Sequence, residues 1–287
     1  MEITKVAKIR GCQDGAIYGS ELFRFDHRGH CAVYDLKALK EEENGELAPI
    51  GELTLDRADE IVPHSNAVCF GSEFYAEGDR YPLLYSNIYN NYAKQEDPFM
   101  GVCCVYRLER TGNAYKTTLV QLIEIGFCED AALWRASEEK HGARPYGNFL
   151  VDRENHSYYA FVMRNKEKGT RYFRFDLPSV HDGALDPVFG VKKVVLTKED
   201  IRDYFDCSYH YYMQGAALHE GKIYSTEGFR ADEINRPAIR VIDLKAKSES
   251  YVDIMNMGFE HEPECIDFYE GVCYYSDAPG HLYTVKF

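Results

Sequence analysis

The sequence predicts an all-β chain of five repeated units, each a four-stranded sheet, closed into a five-bladed β-propeller. Three observations carry this expectation. Tyrosine is the compositional outlier, with 23 copies in 287 residues against a single Trp. Together with Phe and Val it fills short segments in which apolar and polar residues alternate, the pattern of half-buried strands. A short phrase also recurs: Val33-Tyr34-Asp35-Leu36, Val105-Tyr106-Arg107-Leu108, Phe173-Arg174-Phe175-Asp176-Leu177 and Val241-Ile242-Asp243-Leu244. A degenerate fifth copy is Leu282-Tyr283-Thr284-Val285-Lys286-Phe287. Finally, each phrase keeps the same company, a small-residue strand and an aromatic strand before it and one more strand after it.

The opening pair of a unit is clearest in the fourth copy. There Ala216-Ala217-Leu218 and Lys222-Ile223-Tyr224-Ser225 flank the turn His219-Glu220-Gly221. The fifth copy repeats it, with Cys265-Ile266-Asp267-Phe268 and Val272-Cys273-Tyr274-Tyr275 about Tyr269-Glu270-Gly271. Glu-Gly supplies the positive φ that a tight hairpin needs. Fourth strands are expected at Leu119 to Ile125, Val191 to Leu196 and Ser250 to Ile254. The fifth unit lacks one, and Ile3-Thr4-Lys5-Val6-Ala7-Lys8-Ile9 alternates without another partner. Pairing the two would complete the last blade and remove an exposed edge.

Residues 1–287 therefore read as one propeller domain. Rival architectures are a β-sandwich with an α/β subdomain, or a six-bladed ring with a blade hidden in the long second unit. The segment from Gly71 to Gly101 reads better as an elongated hairpin. Two insertions read as helical: Glu129 to Lys140, and a short helix from Thr197-Lys198-Glu199-Asp200, which resembles a capping box, through Tyr204. Both join an outer strand to the next inner strand, across the face where inner strands begin. The acidic stretch from Lys40 to Gly51 reads as a solvated loop on the opposite face.

Bulk properties exclude several function classes. Lys and Arg number 33 and Asp and Glu 47, a net charge of −14, which disfavours nucleic acid and anionic membrane surfaces as partners. Nine cysteines, an odd count without C-x-x-C, sit mostly in apolar runs. Reduced thiols in a cytoplasmic protein are expected. The N-terminal segment has no apolar core of a signal peptide, and no stretch is long enough to span a bilayer. G-x-S-x-G, P-loop, H-E-x-x-H and zinc-ribbon spacings are absent.

In a propeller the innermost strand of each blade lines a central channel, and strand starts face its mouth. Those starts read Gln13-Asp14-Gly15, His64-Ser65-Asn66, Pro145-Tyr146-Gly147-Asn148, Met213-Gln214-Gly215 and Glu262-Pro263-Glu264. A ring of Gln13, His64, Asn66, Asn148, Gln214 and Glu262 offers donors and acceptors in nearly equal supply. It suits a small polar molecule such as a sugar or an amine, with Trp134, Tyr146 and Tyr211 available to stack. It also suits a divalent metal held by oxygen donors and an imidazole. Glu262 and Glu264, two residues apart beside the axis, are expected to raise each other's pKa.

A second reading makes the protein a hydrolase or lyase, with Glu264 as general base and His64 as acid, with or without a divalent metal. A third makes this face a platform for a protein partner. In the blandest reading the amides only satisfy channel water and inner-strand backbone. His219 and His281 fall in turns and are expected in solvent, and Asp277 is left outside the site.

Met213-Gln214-Gly215-Ala216-Ala217, Gly221-Lys222-Ile223-Tyr224 and Glu262-Pro263-Glu264-Cys265-Ile266 together resemble segments of bacterial propeller families. Helveticin-like proteins and the five-bladed glutaminyl cyclotransferases share a Gln-Gly strand start and a Glu-rich start in a later blade. The resemblance implies the five-bladed fold over most of the chain. It does not extend to the tryptophan-rich cyclotransferase pocket, because Trp134 is the only Trp and lies in an insertion.

Overall fold

Strand pairing joins the two ends of the chain. The computed structural model describes residues 1–39, 45–61, 63–88, 102–127, 149–165, 169–209, 212–230 and 236–287. Its first strand, β1 (Glu2–Lys8), lies antiparallel to the last, with Glu2 opposite Lys286 and Lys8 opposite His281. Between them the blades follow in order, each counted from the axis outward.

Blade one comprises β2 (Gly15–Tyr18), β3 (Glu21–Phe25), β4 (His30–Asp35) and β5 (Gly51–Thr54). Blade two has β6 (Val68–Phe70), β7 (Leu84–Ile88), β8 (Val102–Thr111) and β9 (Ala114–Ile125). Blade three begins with β10 (Phe149–Asp152), β11 (Ser157–Asn165) and β12 (Gly169–Asp176). The chain then forms the small hairpin of β13 (Ala184–Leu185) and β14 (Lys192–Leu196) before β15 (Asp203–Cys207) completes that blade. Blade four is β16 (Met213–His219), β17 (Lys222–Glu227), β18 (Ala238–Asp243) and β19 (Ser248–Asp253). Blade five is β20 (Pro263–Tyr269), β21 (Val272–Asp277) and β22 (His281–Lys286), with β1 as its outer strand. The chain is a five-bladed β-propeller.

The recurrent phrase is the third strand of every blade, in β4, β8, β12, β18 and β22. The Glu-Gly turns adopt the left-handed conformation that a two-residue hairpin requires, with φ of 48° and 70° at Glu220 and Gly221 and 50° and 75° at Glu270 and Gly271. Tyrosines fill the space between blades. Tyr34, Tyr85, Tyr106, Tyr158, Tyr172 and Tyr275 are fully buried, each removing roughly 150–250 Å² from water. Tyr172 stacks on Phe205 of the neighbouring strand, with ring centroids 5.0 Å apart.

Three expectations are corrected. Val191 to Leu196 is not the fourth strand of the third unit. As β14 it pairs in parallel with β9 of blade two, Lys192 opposite Gln121 and Leu196 opposite Ile125, and β15 takes its place. The link from β12 is long enough to reach the neighbouring blade, and it is tied there by Gln121 Nε2 donating to the carbonyls of Ser179 and Asp182. The Asp200 carboxylate does accept from both the backbone and the hydroxyl of Thr197. It caps only one 3₁₀ turn, Lys198–Asp200, and the chain then enters β15 instead of remaining helical. Residues 45–47 do not lie on the opposite face. Lys8 N donates to Gly45 O and Leu47 N to Lys8 O, at the end of blade five where His281 begins β22.

The segment 129–140 lies outside the described residues. Eight cysteines fall within them and all are free, with Cys31, Cys103, Cys104, Cys265 and Cys273 buried. Among the described residues no helix is long and apolar enough to cross a membrane.

Candidate functional site

The inner strands β2, β6, β10, β16 and β20 are the innermost members of their sheets, so the described strand starts, at residues 13–15, 64–66, 213–215 and 262–264, meet around the channel mouth. Direct bonds join them around part of the ring. Asn66 Nδ2 donates to Gln214 Oε1 at 3.2 Å, and Gln214 Nε2 donates to Glu262 Oε1 at 2.6 Å. Asp14 N donates to Ser65 O, while Asp14 Oδ2 accepts from Val68 N at 2.9 Å. Blades one, two, four and five are therefore linked by polar groups of the mouth itself.

Local irregularities aim these groups. In β16 the register slips by one residue between Met213 and Ala216, and in β20 between Pro263 and Cys265. Such bulges release a side chain from the pleat and redirect it. Here they fall on Gln214-Gly215 and on Glu264. Gly215 is required because a Cβ there would collide with the carbonyl of Glu264 and the carboxylate of Asp14. In blade two the redirecting residue is Ser65, buried at a φ of 55°, a left-handed conformation that costs a non-glycine residue roughly 1–2 kcal/mol. Strain of this kind persists where the surroundings enforce it.

The electrostatics are unbalanced. Around Glu264 stand Glu262, Asp14 and Asp277 against, among the described residues, one guanidinium, that of Arg24, which is fully buried in β3. Arg24 Nη2 donates to Asp277 O at 3.3 Å, and its Nε and Nη1 have no hydrogen-bond partner. Three buried acceptors are also unpaired: Gln13 Oε1, Asp14 Oδ1 and Asn66 Oδ1. Burial raises Asp14 well above the usual carboxylate range against the opposing effect of two backbone N–H groups and Arg24. Burial likewise lifts Glu262 to about 7. Glu264 is raised well above its ordinary value, first by burial and then by the charge of Glu262. His64, at the rim, is lowered to about 4 by burial and by His27.

Burial disfavours the charged form of both groups, which favours the acid form of Glu264 and the neutral form of His64. No hydrogen bond joins the two. Among the described residues the one group of three side chains with metal-ligand spacing is His261, Asp277 and His281, whose ligand atoms lie within 4.8 Å of one another. Asp277, expected outside the site at the end of its hairpin, is buried, and His281, expected in a solvent-exposed turn, bonds to it. Trp134, Tyr146, Asn148 and Tyr211 lie outside the described residues. Of the adjoining aromatics, Tyr212 is exposed against Phe229 and Tyr209 packs into the core.

Asp14, Arg24 and Asp277 are the participants that sequence reasoning passed over. Asp14 stands inside a strand-start triplet, and Arg24 interrupts the apolar run Leu22-Phe23-Arg24-Phe25. A lone arginine in a second strand is the available signal. Arg24 also touches the inner end of a separate cleft of about 470 Å³ on blade one, rimmed by Arg10, Asp26, His30, Glu52 and Thr54.

No family model matches this chain, and no curated protein does. Solved structures do. The glutaminyl cyclase of Myxococcus xanthus matches at 10% identity over 100% of this chain and 94% of its own, with a TM-score of 0.49. The Cps50 (Swd1) β-propeller domain of Myceliophteria thermophila matches at 9% identity over 100% of this chain and 84% of its own, with a TM-score of 0.39. The hydrazine synthase of Kuenenia stuttgartiensis matches at 8% identity and a TM-score of 0.43 over 91% of this chain. This chain spans only 60% of that synthase chain. Likeness at this level concerns the fold and carries nothing about ligand or reaction.

Proposed function

We propose that the channel mouth binds a small polar molecule carrying a protonated amine. The observation behind this reading is the convergence of four carboxylates, with three unpaired buried acceptors, on the one guanidinium among the described residues of the mouth. A buried acceptor without a donor costs about 1–3 kcal/mol. An ammonium group brings three donors and a positive charge, which satisfies the acceptors and favours ionised Glu262 and Glu264. A neutral sugar supplies donors without the charge, so the site prefers the amine.

The test is a thermal-shift and calorimetric screen of small amines against neutral sugars. An amine should stabilise the protein, with affinity increasing as pH rises towards 7, because the ligand selects the deprotonated form of Glu262. Glu262→Gln combined with Glu264→Gln should abolish the effect. Silence across the amines, or an undiminished response in the double variant, would overturn the reading.

The raised carboxyl of Glu264 and the lowered imidazole of His64 support a second reading, acid–base chemistry on an uncharged ligand. In that case Glu264 donates the proton and His64 receives one. Turnover of a bound neutral ligand, followed by mass spectrometry, should disappear in Glu264→Gln. Turnover that survives the substitution removes Glu264 from the chemistry.

A further inference from the structure

We propose that His261, Asp277 and His281 form a site for a divalent transition-metal ion of the zinc class on the rim of blade five. His261 lies in the loop before β20, Asp277 ends β21, and His281 begins β22. Three strand ends thus bring two imidazoles and a carboxylate to one corner of the sheet. One ligand atom from each lies within 4.8 Å of the other two, and the two imidazole rings are 5.9 Å apart.

The inner half of the site is already ordered. Asp277 Oδ1 accepts from His281 N at 2.7 Å, and Oδ2 accepts from the Tyr283 hydroxyl at 3.2 Å. Such contacts orient a ligating carboxylate. Asp277 Oδ2 and His281 Nδ1 are 2.9 Å apart, a hydrogen-bond separation; two ligands about 2.1 Å from a tetrahedral ion stand about 3.4 Å apart, so a shift of about 0.5 Å would admit one. An ion there takes the place of the proton those atoms share. A hydrogen-bonded turn accounts for Asp277 and His281. It does not account for His261, an exposed residue whose imidazole has no hydrogen bond among the described residues yet lies beside both.

Donor chemistry sets the class of ion. Calcium and magnesium call for oxygen ligands throughout, whereas two imidazoles and one carboxylate suit zinc or cobalt and leave a position open. Burial grades outward from Asp277 through His281 to His261, so the open position faces solvent. The carbonyl of Glu262 accepts from Ala278 N, which seats the corner directly beside the channel mouth.

The experiment is titration of Zn²⁺ alone into the chelator-treated full-length chain, in competition with a chromophoric chelator, together with the visible spectrum of the Co²⁺ form. One zinc per chain and a cobalt spectrum without sulfur charge-transfer bands are expected. His261→Ala should weaken zinc about tenfold or more while leaving the metal-free melting temperature unchanged, since the residue is exposed. Glu262→Gln should leave zinc affinity as it is, which separates this site from the carboxylates of the mouth. Failure to bind zinc, undiminished binding by His261→Ala, an equal loss in Glu262→Gln or a cobalt–thiolate spectrum would each overturn the proposal.

Discussion

Glu21 and Glu264 are buried to similar depth in this ring, 6% and 2% exposed, and are treated in opposite ways. Glu21, at the start of β3, receives Arg80 Nη2 at 2.6 Å, Arg110 Nη1 at 2.5 Å and the hydroxyls of Tyr81 at 2.5 Å and Tyr115 at 3.4 Å. Every lone-pair direction of that carboxylate has a donor, and blades one and two are fastened together through it. Glu264, released from the pleat by its bulge, has no side-chain hydrogen bond among the described residues and there faces Glu262, Asp14 and Asp277 against Arg24. The first arrangement compensates a buried charge and serves as a strut. The second leaves an acid uncompensated on the axis, the arrangement expected where a ligand or a reaction completes it.

The contrast breaks most visibly at Glu21. Glu21→Ala strands Arg110 and two tyrosine hydroxyls, and should cost about 3–5 kcal/mol in urea denaturation. A loss below about 1 kcal/mol would mean that the cluster is not a strut. Glu264→Gln should act in the other direction. A folded-state pKa raised above the unfolded value contributes stability present below the ordinary glutamate range and lost as pH rises. Removing the ionisable group should therefore stabilise the protein by about 1–3 kcal/mol at pH 8 and have little effect at pH 4. Destabilisation at pH 8 comparable to that of Glu21→Ala would erase the distinction.

The smallest effect belongs to Glu262, which is only partly buried and already accepts from Gln214. Wild-type stability should decline as pH climbs from about 4.5 through about 7. Glu262→Gln should flatten that part of the profile of melting temperature against pH. Parallel profiles for the two proteins would show that Glu262 does not titrate there.

Architecture was legible because its signals are local. The third-strand phrase and the Glu-Gly turns depend on a two-residue period and on positive φ, both written in consecutive residues. The partner of Val191 to Leu196 is a non-local choice. That segment and Asp203 to Cys207 each suit an outer strand, and nothing within either says which blade edge it meets. The same holds at the mouth. Gln13, Asn66, Gln214, Glu262 and Glu264 could be placed because they begin inner strands. Arg24 reaches the site from a second strand, by stretching to the backbone of Asp277 in the neighbouring blade. Asp277 and His281 look like turn residues until the ring closes and sets them beside His261.

The pairing of β1 with β22 also imposes an order of assembly. Blades one, two and four can each complete their four strands from uninterrupted stretches of chain, but the outer strand of blade five precedes every other strand of the ring and its partner follows them all. Loop closure over that separation carries the largest entropic cost of any pairing in the molecule. Until β22 is made, β1 is a strand without a sheet, the condition in which chains aggregate. Its charges at Glu2, Lys5 and Lys8 are the kind that keep a waiting strand from pairing with a stranger.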